Sequence, residues 1–364
     1  MALLTVLGAE DDRPPTSQSI SASAREMSRP MRAVAITRPG VLDVLDAPQP
    51  SAGPGDLIVA VRGAGICGTD IHLLDGELPY DRFPVVPGHE FYGEVVAVGA
   101  GVDEARVGTL VAVDPNLSCH SCAECRRGRG NLCLRYEALG ITRDGASAEH
   151  VRVPETVAYD LPGDVSHAGA LLIEPLSCAI HGFDGLPRSV GDRYLVYGAG
   201  TMGLLMSLLA SDMSPEPVHV VEPNPERREI AASLGLHPVA HPDELDPAQR
   251  WETVIDCTGV VSAVEDALTR VRPGGTLQCF GVAEVDAIAK VRPFDIYRNE
   301  VSIVGSMAVL HSFDRAVRLA QVWGERLTPL VTHEFAIEKY EEAVATFRAG
   351  SGLKLAIRPD RAAS

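Results

Sequence analysis

Two hydrophobic rhythms divide the chain. From residue 31 to about 165 the apolar positions come in short runs at 31–36, 57–62, 93–99 and 107–113, broken by glycine and proline. Runs rich in Val, Ile and Leu between turn residues read as strands, and a series of them predicts a compact, barrel-like β domain. From about residue 190 the rhythm changes to strand and helix in alternation. A buried strand at 193–197 leads into Gly198-Ala199-Gly200-Thr201-Met202-Gly203, and an apolar helix follows over 204–209. A second strand at 218–221 ends in Glu222, further strands lie at 253–257, 275–280 and 301–305, and a helix starts near Ser262. This order predicts a doubly wound parallel sheet. After residue 311 a helix is expected over 313–323, an extended piece over 332–335 and a helix over 340–347. The last stretch is expected to return to the first domain, making the second an insertion.

The first thirty residues belong to neither rhythm. The apolar start 1–7 lacks a basic region before it and runs directly into Glu10-Asp11-Asp12, so it is not read as a secretion signal. Residues 10–30 are rich in Ser, Pro and charge, so 1–30 is expected to be a disordered extension. Met31 is a candidate translation start.

Composition narrows the partners. The chain has 364 residues, enough for two domains, with 46% hydrophobic and 22% charged residues. A net charge of -17 opposes phosphate backbones and anionic membranes, so neither nucleic acid nor membrane is an expected partner. Eight cysteines in a chain of this length do not form a disulfide scaffold, and four are clustered with metal spacing. That usage fits a reducing cytoplasm.

The cysteine cluster is Cys119, Cys122, Cys125 and Cys133, a C-x2-C-x2-C-x7-C spacing. Four thiolates this close converge on one ion, which points to a structural zinc lobe at about 115–135. An iron–sulfur cluster is the competing reading. Nothing else in the chain asks for electron transfer.

A second metal set is spread over loops. Cys67 stands in Cys67-Gly68-Thr69-Asp70-Ile71-His72, His89 and Glu90 follow Gly88, and Glu174 precedes Pro175. Thiolate, imidazole and carboxylate suit a catalytic zinc that keeps one position open. Cys67, His89 and one or both of Glu90 and Glu174 are the candidate ligands. Cys178, Cys257 and Cys279 read instead as small buried side chains.

The glycine motif with its flanking strands, helix and acid makes a dinucleotide site, in which Glu222 takes the adenosine ribose hydroxyls. A carboxylate there favours NAD over NADP. Arg227 and Arg228 nearby soften that preference.

In this order the motifs resemble the zinc-containing medium-chain alcohol dehydrogenases over nearly all of residues 31–360. The pieces that carry the resemblance are 65–70, 87–90, the four-cysteine lobe, Asp144-Gly145 before Ala148-Glu149, 174–176 and the glycine fingerprint. The Glu-Pro form at 174 is similar to the sorbitol and polyol dehydrogenase branch. The resemblance implies an α/β protein with a GroES-like β-barrel catalytic domain, 31–178 and 312–364, plus a Rossmann doubly wound parallel-sheet domain, 179–311. It implies two zinc ions per subunit, NAD, and a homodimer or homotetramer. Its substrate is a polyol, sugar alcohol, cyclitol or other secondary alcohol.

The implied catalytic residues are Cys67, Thr69, His72, His89, Glu90 and Glu174, with Thr69 and His72 as a proton relay and Asp70 orienting a ligand from behind. The expected cofactor contacts are Gly198, Gly200, Thr201, Met202, Gly203, Glu222, Arg227, Thr258, Gly281 and Val282. Tyr80, Arg82, Phe91, Glu149 and Arg298 are candidates for the substrate pocket. A threonine- or diol-type dehydrogenase, or a catalytically retired member that senses nucleotide, stands as the alternative.

Overall fold

The computed structural model describes residues 29–79 and 82–359. The expectation for 1–30 therefore lies outside the described residues, apart from 29 and 30. So does the pocket candidate Tyr80.

The long strand Asp56–Ile66 is the hub of a seven-stranded sheet. It pairs antiparallel with Glu90–Val98, with His150–Pro154 and with Lys354–Arg358, so three distant stretches meet along one strand. Alternation explains why it is central. Leu57, Val59 and Val61 enter one apolar cluster with Phe91, Val95, Val111, Val151 and Val153. Ile66 enters another with Val34, Leu73, Tyr340, Leu355 and Ile357. Each such side chain fully buried contributes about 1.5–3 kcal/mol. The expected strand at 107–113 is shorter than its apolar run. Val107 and Gly108 form a turn, and pairing begins at Leu110.

The second sheet contains Tyr194–Tyr197, His219–Val221, His237–Val239, Trp251–Asp256, Val271–Cys279 and Ser302–Gly305, all parallel. Numbered in chain order within this sheet, the strands stand 3-2-1-4-5-6. That order creates a crevice beside the first strand, at the carboxyl ends, where dinucleotides bind.

The chain then returns to the first sheet through Val331–Ala336 and Lys354–Arg358. Helix Ile173–Asp184 runs unbroken through residue 178, and Phe313–Trp323 joins it and Thr201–Met213 in one apolar cluster with Tyr194 and Val196. Packing between the two sheets is therefore continuous. Among the described residues no helix is long and apolar enough to cross a membrane.

Candidate metal centres and cofactor crevice

Strand ends and helix starts place the first metal set. Ile66 ends the hub strand, Cys67 follows, and helix Gly68–Asp75 begins at once. Asp70, 3% exposed, accepts from the Cys67 N–H through Oδ2 at 2.9 Å and from the Gly88 N–H through Oδ1 at 3.1 Å. One carboxylate thus clamps the Cys67 loop to the His89 loop. Donor atoms of Cys67, His89 and Glu90 lie within 4.8 Å of one another.

Asp70 Oδ1 also stands 3.4 Å from His89 Nδ1, which has no formed hydrogen bond among the described residues. Burial pushes the His89 pKa down, but Asp70 and Cys67 outweigh it and hold the imidazole well above its ordinary value. A buried imidazole backed by a carboxylate and facing a thiol is the donor chemistry a zinc ion fits.

Glu174, in the first turn of its helix, stands beside this set. Its Oε1 accepts from the Cys178 thiol at 3.4 Å, one helical turn on. Burial and then the neighbouring Glu90 push the Glu174 carboxyl up to about 7. The metal-free protein should therefore lose stability as pH rises from about 4.5 through 7, where the native state keeps a proton that the unfolded chain releases. Substituting Glu174→Gln should flatten that slope in a thermal-melt series from pH 5 to 8. The difference between the two proteins should reach about 5 °C.

Sequence reasoning missed Lys354. It is 4% exposed, makes an ion pair with Glu90 Oε2 and donates to the Ile66 carbonyl at 3.3 Å. Strand register brings the pair together: Glu90 lies opposite Gly65 and Leu355 opposite Ile66. A Cβ at Gly65 would run into Glu90 Oε2 and sit 3.1 Å from Lys354 Cδ, so glycine opens the space they occupy. Cys178, read from the sequence as a small side chain rather than a ligand, donates its thiol to Glu174.

The relay residues do not meet. Thr69 Oγ1 lies 3.8 Å from Cys67 Sγ, whereas the half-buried His72 turns its Nδ1 to Glu77 Oε2 at 2.5 Å. The pocket candidates also disperse. Phe91 sits in the barrel core, Glu149 pairs with Arg32, Arg82 pairs with Glu137, and Arg298 is exposed on helix Pro293–Asn299.

In the lobe, donor atoms of Cys119, Cys122, Cys125 and Cys133 again lie within 4.8 Å of one another, and all four are free thiols. The N–H groups of Cys122, Cys125 and Cys119 point at the sulfurs of Cys119, Cys122 and Cys133 at 3.3–3.5 Å. The Ser121 backbone and Arg135 draw the Cys119 thiol down to about 4, while burial and the adjoining thiols push Cys125 up to about 11. Crowded thiols that cannot all ionise unaided are what a bound dication would relieve.

The glycine motif lies in the crevice of the parallel sheet. Gly200 caps helix Thr201–Met213, and Gly198 has φ +93°. A Cβ at Gly203 would strike the Gly198 carbonyl oxygen. Glu222, 4% exposed, accepts from the Ala199 N–H at 2.7 Å and the Asn224 N–H at 2.8 Å, bracing the loop. Asp256 holds Thr258 and Gly259 through their N–H groups, and Gly281 packs against the Thr258 N–H. Gly198 approaches Thr258, so these expected contacts converge. Met202 packs against the apolar cluster behind the helix, and the Val282 side chain is 79% exposed. Arg227 donates to the carbonyls of Gly350 and Gly352 at 2.9 and 3.3 Å, and Arg228 to those of Glu222 and Pro223.

Two metal-capable sites and a nucleotide crevice on these two sheets define a zinc-binding dehydrogenase. Residues 53–163 match the alcohol dehydrogenase GroES-like domain, and residues 201–321 match the zinc-binding dehydrogenase domain. The chain belongs to the zinc-dependent medium-chain alcohol dehydrogenase family and is an oxidoreductase that uses zinc and a nicotinamide cofactor.

D-arabinitol dehydrogenase 1 of Uromyces fabae is 32% identical, covering 91% of this chain and 97% of its own. D-altritol 5-dehydrogenase of Agrobacterium fabrum is 34% identical over 85% and 94%. L-threonine 3-dehydrogenase of Pyrococcus horikoshii is 32% identical over 89% and 97%. Among solved structures, a zinc-binding dehydrogenase of Sinorhizobium meliloti bound to NADP superposes with a TM-score of 0.87 at 31% identity, covering 91% and 99%. An alcohol dehydrogenase of Escherichia coli CFT073 complexed with NADH gives 0.84 at 28%, covering 91% and 100%.

Proposed function

We propose that this protein oxidises a secondary alcohol of a polyol, sugar alcohol or cyclitol to the ketone, reversibly, with NAD as hydride acceptor and two zinc ions per subunit. The observation that carries the reading is the cluster of Cys67, His89 and Glu90, whose donor atoms lie within 4.8 Å of one another, with the buried Glu174 carboxyl as a second acid that feels Glu90. Its support from relatives lies in the arabinitol and altritol dehydrogenases, whose similarity spans nearly the whole chain. Residues 31–178 and 312–364 form the catalytic unit and 179–311 the NAD unit, and the assembled enzyme is a cytoplasmic homodimer or homotetramer. The exposed apolar side chains of Val285, Ile288, Phe294 and Tyr297, and the edge position of strand Ser302–Gly305 in the parallel sheet, support self-association.

Cys67 and His89, with one of the two glutamates, hold the catalytic ion, and the four lobe cysteines hold the structural one. Zinc at the first site supplies a Lewis acid that lowers the pKa of an alcohol hydroxyl. Asp70 fixes the orientation of His89 and the spacing of the two ligand loops. Gly198, Gly200 and Gly203 let the backbone approach the cofactor pyrophosphate at the helix N-terminus. Glu222, with both oxygens already braced, keeps lone pairs for ribose hydroxyls and repels a 2′-phosphate. Thr69, beside Cys67, would accept the substrate proton while giving up its own hydroxyl proton toward His72, which must first turn from Glu77 to receive it and release it to solvent.

The test is NADH appearance across polyols, cyclitols, diols and threonine, repeated with NADP. A polyol or cyclitol should give the highest kcat/KM, by about tenfold or more over threonine, with NAD preferred. A preference for threonine would move the protein to the other reading that its relatives favour. Bound nucleotide without turnover on any of these substrates would mark a retired sensor.

A further inference from the structure

Asn131 joins three parts of the fold. It lies in the short segment Gly130–Leu132 of the cysteine lobe and is 7% exposed. Its Nδ2 donates to the Met307 carbonyl at 2.9 Å and to His181 Nε2 at 3.4 Å. Burial lowers the His181 pKa by more than the nearby Asp184 raises it, so the ring stays neutral and can accept. Asn131 Oδ1 has no partner among the described residues. A buried amide left half unpaired costs stability that an apolar side chain of similar size does not, so the position is used for its N–H groups.

Both acceptors sit where the two sheets meet. His181 stands about two turns after Glu174 on helix Ile173–Asp184, and the next residue, Gly182, packs on the carboxyl ends of the parallel strands. The Gly182 carbonyl accepts from Gln278 Nε2 at 2.6 Å, and a Cβ at Gly182 would strike Phe280. Met307 opens the loop 307–311, which follows the last strand of the same sheet, Ser302–Gly305. Within this loop Ala308 and His311 hold left-handed backbone, with φ of +53° and +52°. Non-glycine residues keep that conformation only where their surroundings impose it. The lobe supplies a second contact here, since His311 Nε2 meets the Gly128 carbonyl at 3.2 Å, while Arg315 donates to the His311 carbonyl at 3.1 Å.

In a sheet of this order each half takes one mononucleotide. Glu222 serves the adenosine half, so strands Trp251–Asp256, Val271–Cys279 and Ser302–Gly305 bound the nicotinamide half. Their carboxyl ends are the ones that Gly182 packs on and that the 307–311 loop leaves.

We infer that Asn131 is a positioning residue for hydride transfer: through its amide the cysteine lobe fixes the 307–311 loop against the helix that carries Glu174, and so sets the nicotinamide half of the crevice against the metal site. The inference rests on the dehydrogenase reading above and goes beyond it by giving the lobe a part in the chemistry as well as in stability.

The test is the stopped-flow rate of the first NADH formed by the zinc-loaded full chain, with protium or deuterium at the carbinol carbon of the best polyol. That rate follows the hydride from carbon to NAD, apart from product release. N131L keeps the volume and removes the donor. Its rate should fall about tenfold to a hundredfold, the scale of a misplacement of about 1 Å remote from the reacting atoms, and should carry a primary isotope effect. NAD affinity should stay within about threefold of wild type, with two zinc ions per chain and an unchanged melting temperature. His311 is exposed, so H311A keeps the inference falsifiable if N131L does not fold. Loss of that weaker link should slow the same step about threefold.

NADH formed at the wild-type rate by N131L, or by H311A where N131L does not fold, would overturn the inference. So would a slower rate matched by loss of the lobe zinc or of NAD affinity, which would make Asn131 a structural residue only. A wild-type chain that binds NAD and oxidises none of the alcohols would remove the dehydrogenase reading itself, and this inference with it.

Discussion

Replacing Cys67 with alanine should reduce turnover at least about a thousandfold, because the thiolate anchors the ion whose Lewis acidity is worth several kcal/mol to the reaction. The loss should be specific. Cys67 lies at the end of the hub strand in the first sheet, whereas Gly198, Gly203 and Glu222 lie in the crevice of the other. NAD affinity, read by fluorescence titration, should stay within about threefold of wild type. Packing should also survive, since Cys67 is only partly buried and its loop is held by Asp70 through backbone N–H groups. A Cys67→Ala enzyme that kept normal kcat would remove the catalytic metal from this pocket.

The lobe calls for the opposite outcome. Replacing Cys119 with serine should leave the catalytic residues in place yet destabilise the protein, because residues 119–133 contain only a helical turn, Ala123–Arg126, and a short 3-10 segment around the four sulfurs. With so little apolar packing, metal binding carries the folding of such a segment. A loss of about 3 kcal/mol or more corresponds to a drop of about 4 °C or more in melting temperature for a chain of this length. The Cys119→Ser protein should also acquire about the same instability that chelation confers on wild type, so chelator should add little further. Equal melting temperatures for variant and wild type would mean that the lobe folds without its ion.

These predictions rest on features that differ in how far the sequence exposes them. The lobe and the glycine loop are legible because their residues are local. Four cysteines within fifteen positions, or three glycines after an apolar strand, meet through the chain itself. Cys67, His89 and Glu90 are legible through neighbours that fix the backbone, such as Gly68 and Gly88. Lys354 shows only as one charge inside the apolar run Leu353-Lys354-Leu355-Ala356-Ile357. Its meaning depends on register between strands almost 290 residues apart along the chain. A charge interrupting an otherwise buried strand was the available signal. Phe91 and Glu149 failed as pocket residues for the same reason: alternation turns Phe91 into the barrel, and Arg32 from the first strand reaches Glu149. His72 lies one turn after Thr69, but Glu77, beyond the end of that helix, sets where its ring points.

The most direct test of two distinct zinc sites serving one dehydrogenase is zinc per chain, by elemental analysis, in wild type, Cys67→Ala and Cys119→Ser. The account predicts two, one and one, with the Cys67→Ala protein folded but inactive and the Cys119→Ser protein less stable. Two zinc ions retained by Cys67→Ala, or one zinc in a fully active wild type, would contradict it.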